Sequence, residues 1–324
     1  MKLTTCLLLL TSCVALAATE EQTNRTFNVT PGGALVVDVS FGSITVTTNA
    51  TDEVTVDVWR KITRPDKEDE EQFLRDNPVT FEQDGNSVTV RCRNPEKKRW
   101  FSSGRNNRNE AKYTIRVPAQ FNAKLDTSGG GITVSDLTGE VKADTSGGGL
   151  KFTRVHGPLN GDTSGGGIHV MDCEGAIKIE TSGGGIEVTG GGGSLRGETS
   201  GGPVKVKDFR GDASVETSGG GISIENVVGE IKGETSGGGI TAVFPAPLQN
   251  AVDLSTSGGG VTVKVPENAA FNLDAETSGG GVSSDLPVTV VGKKSHGQLK
   301  GSVNGGGVAV RLRSSGGGIH VKKL

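Results

Sequence analysis

The chain has 324 residues and a formal net charge of −3, so no global charge directs it to nucleic acid or to an anionic membrane. Hydrophobic residues make up only 33% and aromatics 4%, while 52 residues are Gly; that is about twice the usual glycine share and thin material for an ordinary packed globule. Gly does not fall at every third position, which excludes a collagen-like helix.

Residues 1–17 read as a secretion signal. Lys2 is a minimal basic start, Leu3 to Leu16 is mostly apolar, and Ala15-Leu16-Ala17 fits a small-x-small cleavage site before Ala18. Leu10-Thr11-Ser12-Cys13 loosely resembles a lipobox, which would make Cys13 a lipid anchor. A signal ending at Ser12 would leave a very short apolar stretch, so simple cleavage is favoured. No other segment approaches the roughly 20 apolar residues of a membrane helix. The expected location is extracytoplasmic: secreted, periplasmic or associated with the cell surface.

Residues 18–125 form an N-terminal β region. Phe27, Val29, Leu35, Val37, Val39, Ile44, Val46, Val54, Val56 and Val58 alternate with polar residues, the period of half-buried strands. Gly42-Ser43-Ile44-Thr45-Val46 has the form of an early, degenerate repeat. A short helix is expected from Asp66 to Asp76, where six acids face only Lys67 and Arg75. It would cap an open sheet end. Residues 97–112 are irregular and basic, with six Lys or Arg against Glu110. Lys97, Lys98, Arg99, Trp100, Phe101, Arg105 and Arg108 are the candidate partner-binding residues, because exposed aromatics among cations can stack on sugars or bases or dock a protein. The alternative is an inserted loop whose aromatics cover the end of the fold.

From residue 126 to 324 the chain is repetitive. Thr-Ser-Gly-Gly-Gly begins at Thr127, Thr145, Thr163, Thr181, Thr217, Thr235, Thr256 and Thr277, with a variant ending in Pro203 at Thr199. The step is 18 residues up to Thr235 and then 21 twice. Five positions after each Thr stands Ile132, Leu150, Ile168, Ile186, Val204, Ile222 or Ile240, again with period-2 alternation. The glycines and the missing 3.6 period exclude helix. A second turn signal is a lone Gly twelve positions after the Thr: Gly139, Gly157, Gly175, Gly193, Gly211 and Gly229. Two strands and two corners per repeat predict an all-β, single-stranded parallel β-solenoid of 18–21 residues per coil, right-handed by the general preference of parallel crossovers. Positive φ and close backbone approach are the expected reasons for the glycines. Thr should point inward, its hydroxyl bonded to a corner carbonyl of an adjacent coil, and Ser outward.

Stacking such repeats aligns like residues. An acidic column runs Asp126, Asp144, Asp162, Glu180, Glu198, Glu216, Glu234 and Glu276, broken by Ser255, with Lys142, Lys178, Arg196 and Lys232 two positions earlier. The bases should offset the repulsion between stacked carboxylates. A calcium-binding β-roll needs an Asp among its glycines, which these triplets lack, so no metal is expected. Of the cysteines beyond the signal, Cys173 shares the repeat position of Leu137, Val155, Phe209 and Val227 and reads as a small buried hydrophobe; Cys92 is too remote to suggest a disulfide framework. His156, His169, His296 and His320 show no ligand spacing, and no nucleophile elbow or phosphate loop is present. Neither catalytic residues nor a cofactor is expected. The C-terminal part carries two more degenerate copies, at Asn304-Gly305-Gly306-Gly307-Val308 and Ser315-Gly316-Gly317-Gly318-Ile319, so the chain should end in a strand.

The early G-S-I-T-V, the repeated S-G-G-G-[IV]-x-V, and the closing Val265-Pro266 through Phe271-x-Leu273 followed by S-G-G-G-V resemble the bacterial putative-adhesin domain family across about residues 27 to 324. That resemblance implies a β-solenoid and supplies no catalytic residues. The resulting expectation is a non-enzymatic, adhesin-like solenoid that presents a repetitive surface to an envelope polymer, a glycan, a cell surface or a protein partner, and not to nucleic acid. A purely structural envelope spacer and a carbohydrate-active β-helix enzyme are the alternatives.

Overall fold

The computed structural model describes residues 18–93, 107–291 and 295–324. The described residues are all-β apart from one helix and form two long sheets of 14 and 15 strands that do not close into a barrel; from Phe121–Thr127 to Val282–Ser284 the chain alternates strand by strand between them, the connectivity of a β-solenoid. In one sheet Ile132–Ser135, Leu150–Thr153, Ile168–Met171, Ile186–Thr189, Val204–Lys207, Ile222–Glu225 and Ile240–Val243 stack in parallel, each on the next. In the other, Phe121–Thr127, Val141–Thr145, Leu159–Thr163, Glu174–Thr181, Gly192–Thr199, Arg210–Thr217 and Ile231–Thr235 do the same. Equivalent residues meet: Val141 lies opposite Leu159, and Leu159 opposite Ile177. The apolar residue five positions after each Thr is buried from Ile132 through Ile240, and with the other inward positions of its repeat, Val134, Leu137, Val141 and Ala143 beside Ile132, it forms a narrow core of a few stacked columns between two sheets. That explains how so few hydrophobic residues suffice.

Each pentapeptide Thr is buried and each Ser is exposed, as the alternation predicts. The Thr145 hydroxyl donates to the Gly130 carbonyl of the preceding repeat at 2.8 Å, and Thr163, Thr181, Thr199, Thr217 and Thr235 repeat the contact at 2.7–2.8 Å. The same oxygen accepts the N–H of its own middle glycine, Gly148 onto Thr145 at 3.4 Å. Thr127 reaches Gly42, Thr277 reaches Gly317, and Ser314 stands in for Thr on Gly259.

The glycines have two separate reasons. None of the glycines of the Thr-Ser-Gly-Gly-Gly copies has positive φ; the middle one is required because a Cβ at Gly148 would collide with the Gly130 carbonyl. Positive φ belongs to the lone glycines, such as Gly157 at 137°. A third corner, not marked by Gly in most repeats, lies nine positions after the Thr, where Asp136, Arg154, Asp172, Asp208 and Asn226 adopt left-handed backbone. The repeat therefore has three corners, not two. Asp and Asn tolerate this conformation because their short polar side chains bond locally, which made the corner easy to miss.

The stack does not follow chain order at its ends. The strands Gly33–Val39 and Ser43–Asn49 lie against Phe121–Thr127 and Ile132–Ser135, and the later strands Ser87–Cys92 and Arg108–Pro118 lie outside them. Antiparallel strands then close the end: Glu53–Thr63 and Thr19–Asn28 in one sheet, Thr80–Asp84 in the other. At the far end Gln298–Val303 and Val288–Val290 are also antiparallel. The solenoid is thus parallel only in its body. The expected helix forms as Lys67–Asp76, capped by the Asp66 carboxylate accepting from the Asp69 N–H at 2.8 Å, with Arg75 in its last turn. Its buried Glu70 clamps the edge strand by accepting from the Thr19 N–H at 2.9 Å and the Thr19 hydroxyl at 2.6 Å. Buried Arg60 ties the same strand through Glu21 and donates to the Asn77 carbonyl at 2.6 Å.

Gly148→Ala is expected to cost about 3 kcal/mol or more, because backbone must move, whereas Gly147→Ala, whose Cβ would sit 3.5 Å from the Ser128 carbonyl, should change stability by less than about 1 kcal/mol. Urea denaturation of the two variants separates them, and equal costs would refute the close-approach account. Thr181→Val keeps the shape but strands the Gly166 carbonyl and the Gly184 N–H. A loss of about 1–3 kcal/mol is expected in the same measurement.

Candidate binding face

Strict register turns the residue before each Thr into a column on the second sheet. Asp38 pairs with Asp126, and the series continues through Asp144, Asp162, Glu180, Glu198, Glu216 and Glu234. Strands lie about 4.8 Å apart. Two like charges at that spacing repel by about 1 kcal/mol in a water-like dielectric and by about 3 kcal/mol at the dielectric of a protein surface. The column is therefore a cost unless cations intervene.

The intervention is uneven. Arg93 closes the first end, 2.7 Å from Asp38 and 2.5 Å from Asp126. Lys178 pairs with Glu180 at 2.7 Å, Arg196 with Glu198 at 2.5 Å, and Lys232 with Glu234 at 3.9 Å. Lys142 turns to Glu140 instead, at 2.7 Å, and position 160 is Asn. Asp144 and Asp162 consequently make no salt bridge among the described residues, and neither does Glu216, which has Ser214 two positions earlier. Burial, then the neighbouring Asp126 and Asp162, push the Asp144 carboxyl above the usual range; burial, then Glu180, does the same to Asp162.

Beside this column runs the column of exposed serines. Asp126, Asp144 and Asp162 with Ser128, Ser146 and Arg93 line one shallow depression; Asp162, Glu180, Glu198 and Glu216 with Ser182, Ser200 and Ser218 line the next. The two meet at Asp162 and make one trough lined by carboxylates and hydroxyls. Chemically it offers acceptors at a fixed repeat and hydroxyls that can donate or accept.

Two members of this face were not found in sequence. Asp38 heads the column because Gly42-Ser43-Ile44-Thr45-Val46 is a true repeat position, so aligning it with Gly130-Gly131-Ile132-Thr133-Val134 places Asp38 with Asp126. Arg313 occupies the column between Ser255 and Glu276. Only chain crossing puts it there, and no local pattern announces it.

Of the predicted contact residues, Lys97, Lys98, Arg99, Trp100, Phe101 and Arg105 lie outside the described residues, as do the signal segment and Cys13. Arg108 opens the strand Arg108–Pro118, and its carbonyl accepts from Arg64 Nη1 at 3.3 Å. Cys92 and Cys173 are free and buried, and burial raises both thiols. His156 and His169 each face a Glu across strands, Glu174 at 3.5 Å and Glu187 at 3.2 Å. His320 meets the Ser283 hydroxyl at 2.8 Å. Among the described residues no cluster of His, Cys, Asp and Glu is arranged to hold a metal ion, and no helix is long and apolar enough to cross a membrane.

A solenoid body carrying S-G-G-G corners along its length defines the class. The chain belongs to the Toastrack DUF4097 family, whose model matches residues 33–322. Solved structures with similar architecture include a "putative adhesin" from Bacteroides fragilis, 12% identical, covering 94% of this chain and 97% of that one, with a TM-score of 0.34. Another "putative adhesin", from Parabacteroides distasonis, is 11% identical, covers 93% and 97%, and has a TM-score of 0.35. A "putative lipid binding protein" from Parabacteroides distasonis is 12% identical, covers 93% and 96%, and has a TM-score of 0.34. No curated protein matches the chain.

A carboxyl with a raised folded-state pKa stabilises the fold below its unfolded pKa and loses that contribution as pH rises through the folded value. Asp144→Asn and Asp162→Asn should therefore raise the melting temperature at pH 7, and the gain should vanish at pH 3. Thermal melts across that range check this; an unchanged or lower value at pH 7 would mean the column is fully compensated.

Proposed function

We propose that this protein is a non-enzymatic, extracytoplasmic, adhesin-like β-solenoid whose repetitive face binds a polymer, a cell surface or a protein partner. The observation that carries the reading is the unpaired stretch Asp144–Asp162 in the serine-lined trough. A side chain kept at a cost to stability is expected where function needs it. Regular spacing lets a periodic partner repeat one weak contact many times, so affinity grows with the number of coils engaged. Right-handed winding, 18–21 residues per coil, and a division into a signal at 1–17, a continuous N-terminal region at 18–125 and regular repeats at 126–324 complete the proposal. The basic segment from Lys97 to Arg108, with Trp100 and Phe101, is a second candidate contact.

The uniform register of the body also supports a spacer role, in which length alone matters. The two readings separate in one experiment. The mature chain, Asp144→Asn/Asp162→Asn, and a form lacking the two repeats from Thr163 to Glu198 are tested for retention on cell-wall polymers, a glycan array and intact cells. A surface reader binds, weakens severalfold in the Asn variant and weakens further on deletion. Retention unaffected by both changes would move the contact from the trough to the second candidate segment, and no retention on any target would overturn the binding proposal and favour the spacer.

A further inference from the structure

The last strand pair of the chain does not sit at the end of the stack. Val308–Ser314 lies between Val252–Thr256 and Phe271–Thr277, and Ile319–Lys323 lies between Val261–Val265 and Val282–Ser284. Val310, Leu312, Ile319 and Val321 are fully buried there. Ser314 donates to the Gly259 carbonyl at 2.8 Å on one side, and on the other Thr277 donates to the Gly317 carbonyl at 2.7 Å. The segment thus fills a slot whose two walls are made by earlier parts of the chain.

The slot is matched to its occupant by charge. Its walls carry Asp253, Asp274 and Glu276 on the outer face, and the segment brings Arg311 to Asp253 at 3.0 Å and Arg313 to Asp274 at 2.9 Å. Arg313 is also 3.8 Å from Glu276, and Lys323 is 3.2 Å from Glu267. Closing the slot by direct stacking would set Asp253 on Asp274 at strand spacing, since Arg311 faces both. Like charges placed directly opposite destabilise such a pair. An empty slot is therefore better filled than collapsed.

The connection into the slot is short and bent. Asn304, Gly305 and Gly306 have φ of 48°, 91° and 85°, and the link carries the chain from one side of Phe271–Thr277 to the other. A terminal element held through a short, tightly folded hinge is the geometry from which identical segments exchange between copies.

We infer that the C-terminal strand pair, residues 308–324, is exchangeable: the slot of one molecule accepts the same segment from a second copy of this chain. Reciprocal exchange closes a symmetric dimer in which every native contact of the slot is kept, and one-way exchange links molecules in a row.

The test uses the full chain carrying Asp253→Cys and Arg311→Cys. These positions face each other on adjacent parallel strands, within the Cα separation that a disulfide spans. The protein is unfolded, refolded over a range of concentrations and oxidised, with each single variant as the control. An unexchanged molecule forms the bond within one chain and an exchanged pair forms it between two. Exchange predicts a dimer band on non-reducing denaturing gels that grows with concentration, disappears on reduction and is absent from the single variants. Adding Gly305→Val, which strains the folded hinge at its positive φ, should raise the dimer fraction severalfold at a fixed concentration. Intrachain bonds alone at every concentration would overturn the inference. So would dimers that separate in detergent without reduction, or no bond at all, which would mean that the slot is not filled as described.

Discussion

The structure depends on one hydrogen-bonded chain that runs down its interior. From Thr145 to Thr256 each buried Thr hydroxyl donates to the middle-glycine carbonyl of the preceding repeat and accepts the N–H of its own middle glycine. That glycine in turn offers its carbonyl to the next Thr. Thr and Gly are thus mutually required: Thr satisfies a buried carbonyl that would otherwise be stranded, and any side chain on the glycine would displace that carbonyl. The polar links also polarise one another in a low-dielectric interior. A slip of the register by one residue would break them all, as well as turning the core residues outward. The thin apolar core fills the space, while the Thr–Gly chain fixes which residue lies over which.

Fixed register has a consequence on the outside. Residues that are identical in sequence become neighbours in space, so a preference for acid before each Thr becomes a ladder of carboxylates. The protein offsets much of this with Lys178, Arg196, Lys232 and Arg93, each beside its own acid. It does not do so at Asp144 and Asp162, where Lys142 bonds Glu140 and Asn160 replaces a base, or at Glu216, where Ser214 does. The same geometry that makes the body regular therefore makes any departure from compensation stand out, and the departure falls in a trough of serines.

Much of this was legible in the sequence because the repeat is a local code. Strand type, inward Thr, outward Ser, buried Cys173 and the acidic column all follow from period-2 alternation and fixed offsets, and the short acidic helix from Asp66 to Asp76 stands apart from that code. The third corner was not legible, because Asp136, Arg154 and Asp172 adopt left-handed backbone without the Gly that usually marks it. The role of the glycines was half legible: close approach holds for the triplet and positive φ for the lone glycines, but the positive φ expected at the triplet is absent. Stacking order at the ends was not legible at all. Nothing local distinguishes Val308–Ser314 from a strand that simply follows Gln298–Val303, since both neighbours offer the same alternation.

The crossed ends answer a problem that a uniform body cannot solve. A parallel stack exposes a row of unpaired N–H and C=O groups at each end, and adding another identical repeat only moves the edge outward. Here antiparallel strands that no longer follow the code close both sheets at one end, Thr19–Asn28 and Thr80–Asp84, and one sheet at the other, Val288–Val290 and Gln298–Val303, while the second sheet stops there at the short parallel strand Val282–Ser284. Placing a coded strand pair beneath those caps, from a remote part of the chain, ties each cap to the body by more than one covalent path. At the N-terminal end the link is completed by buried Arg60 and Glu70, which hold the outermost strand through Glu21 and Thr19. At the C-terminal end it is completed by Arg311 and Arg313 between acidic walls. The body can therefore be lengthened or shortened by whole repeats without redesigning either end, because the features that stop growth lie outside the Thr–Gly register that drives it.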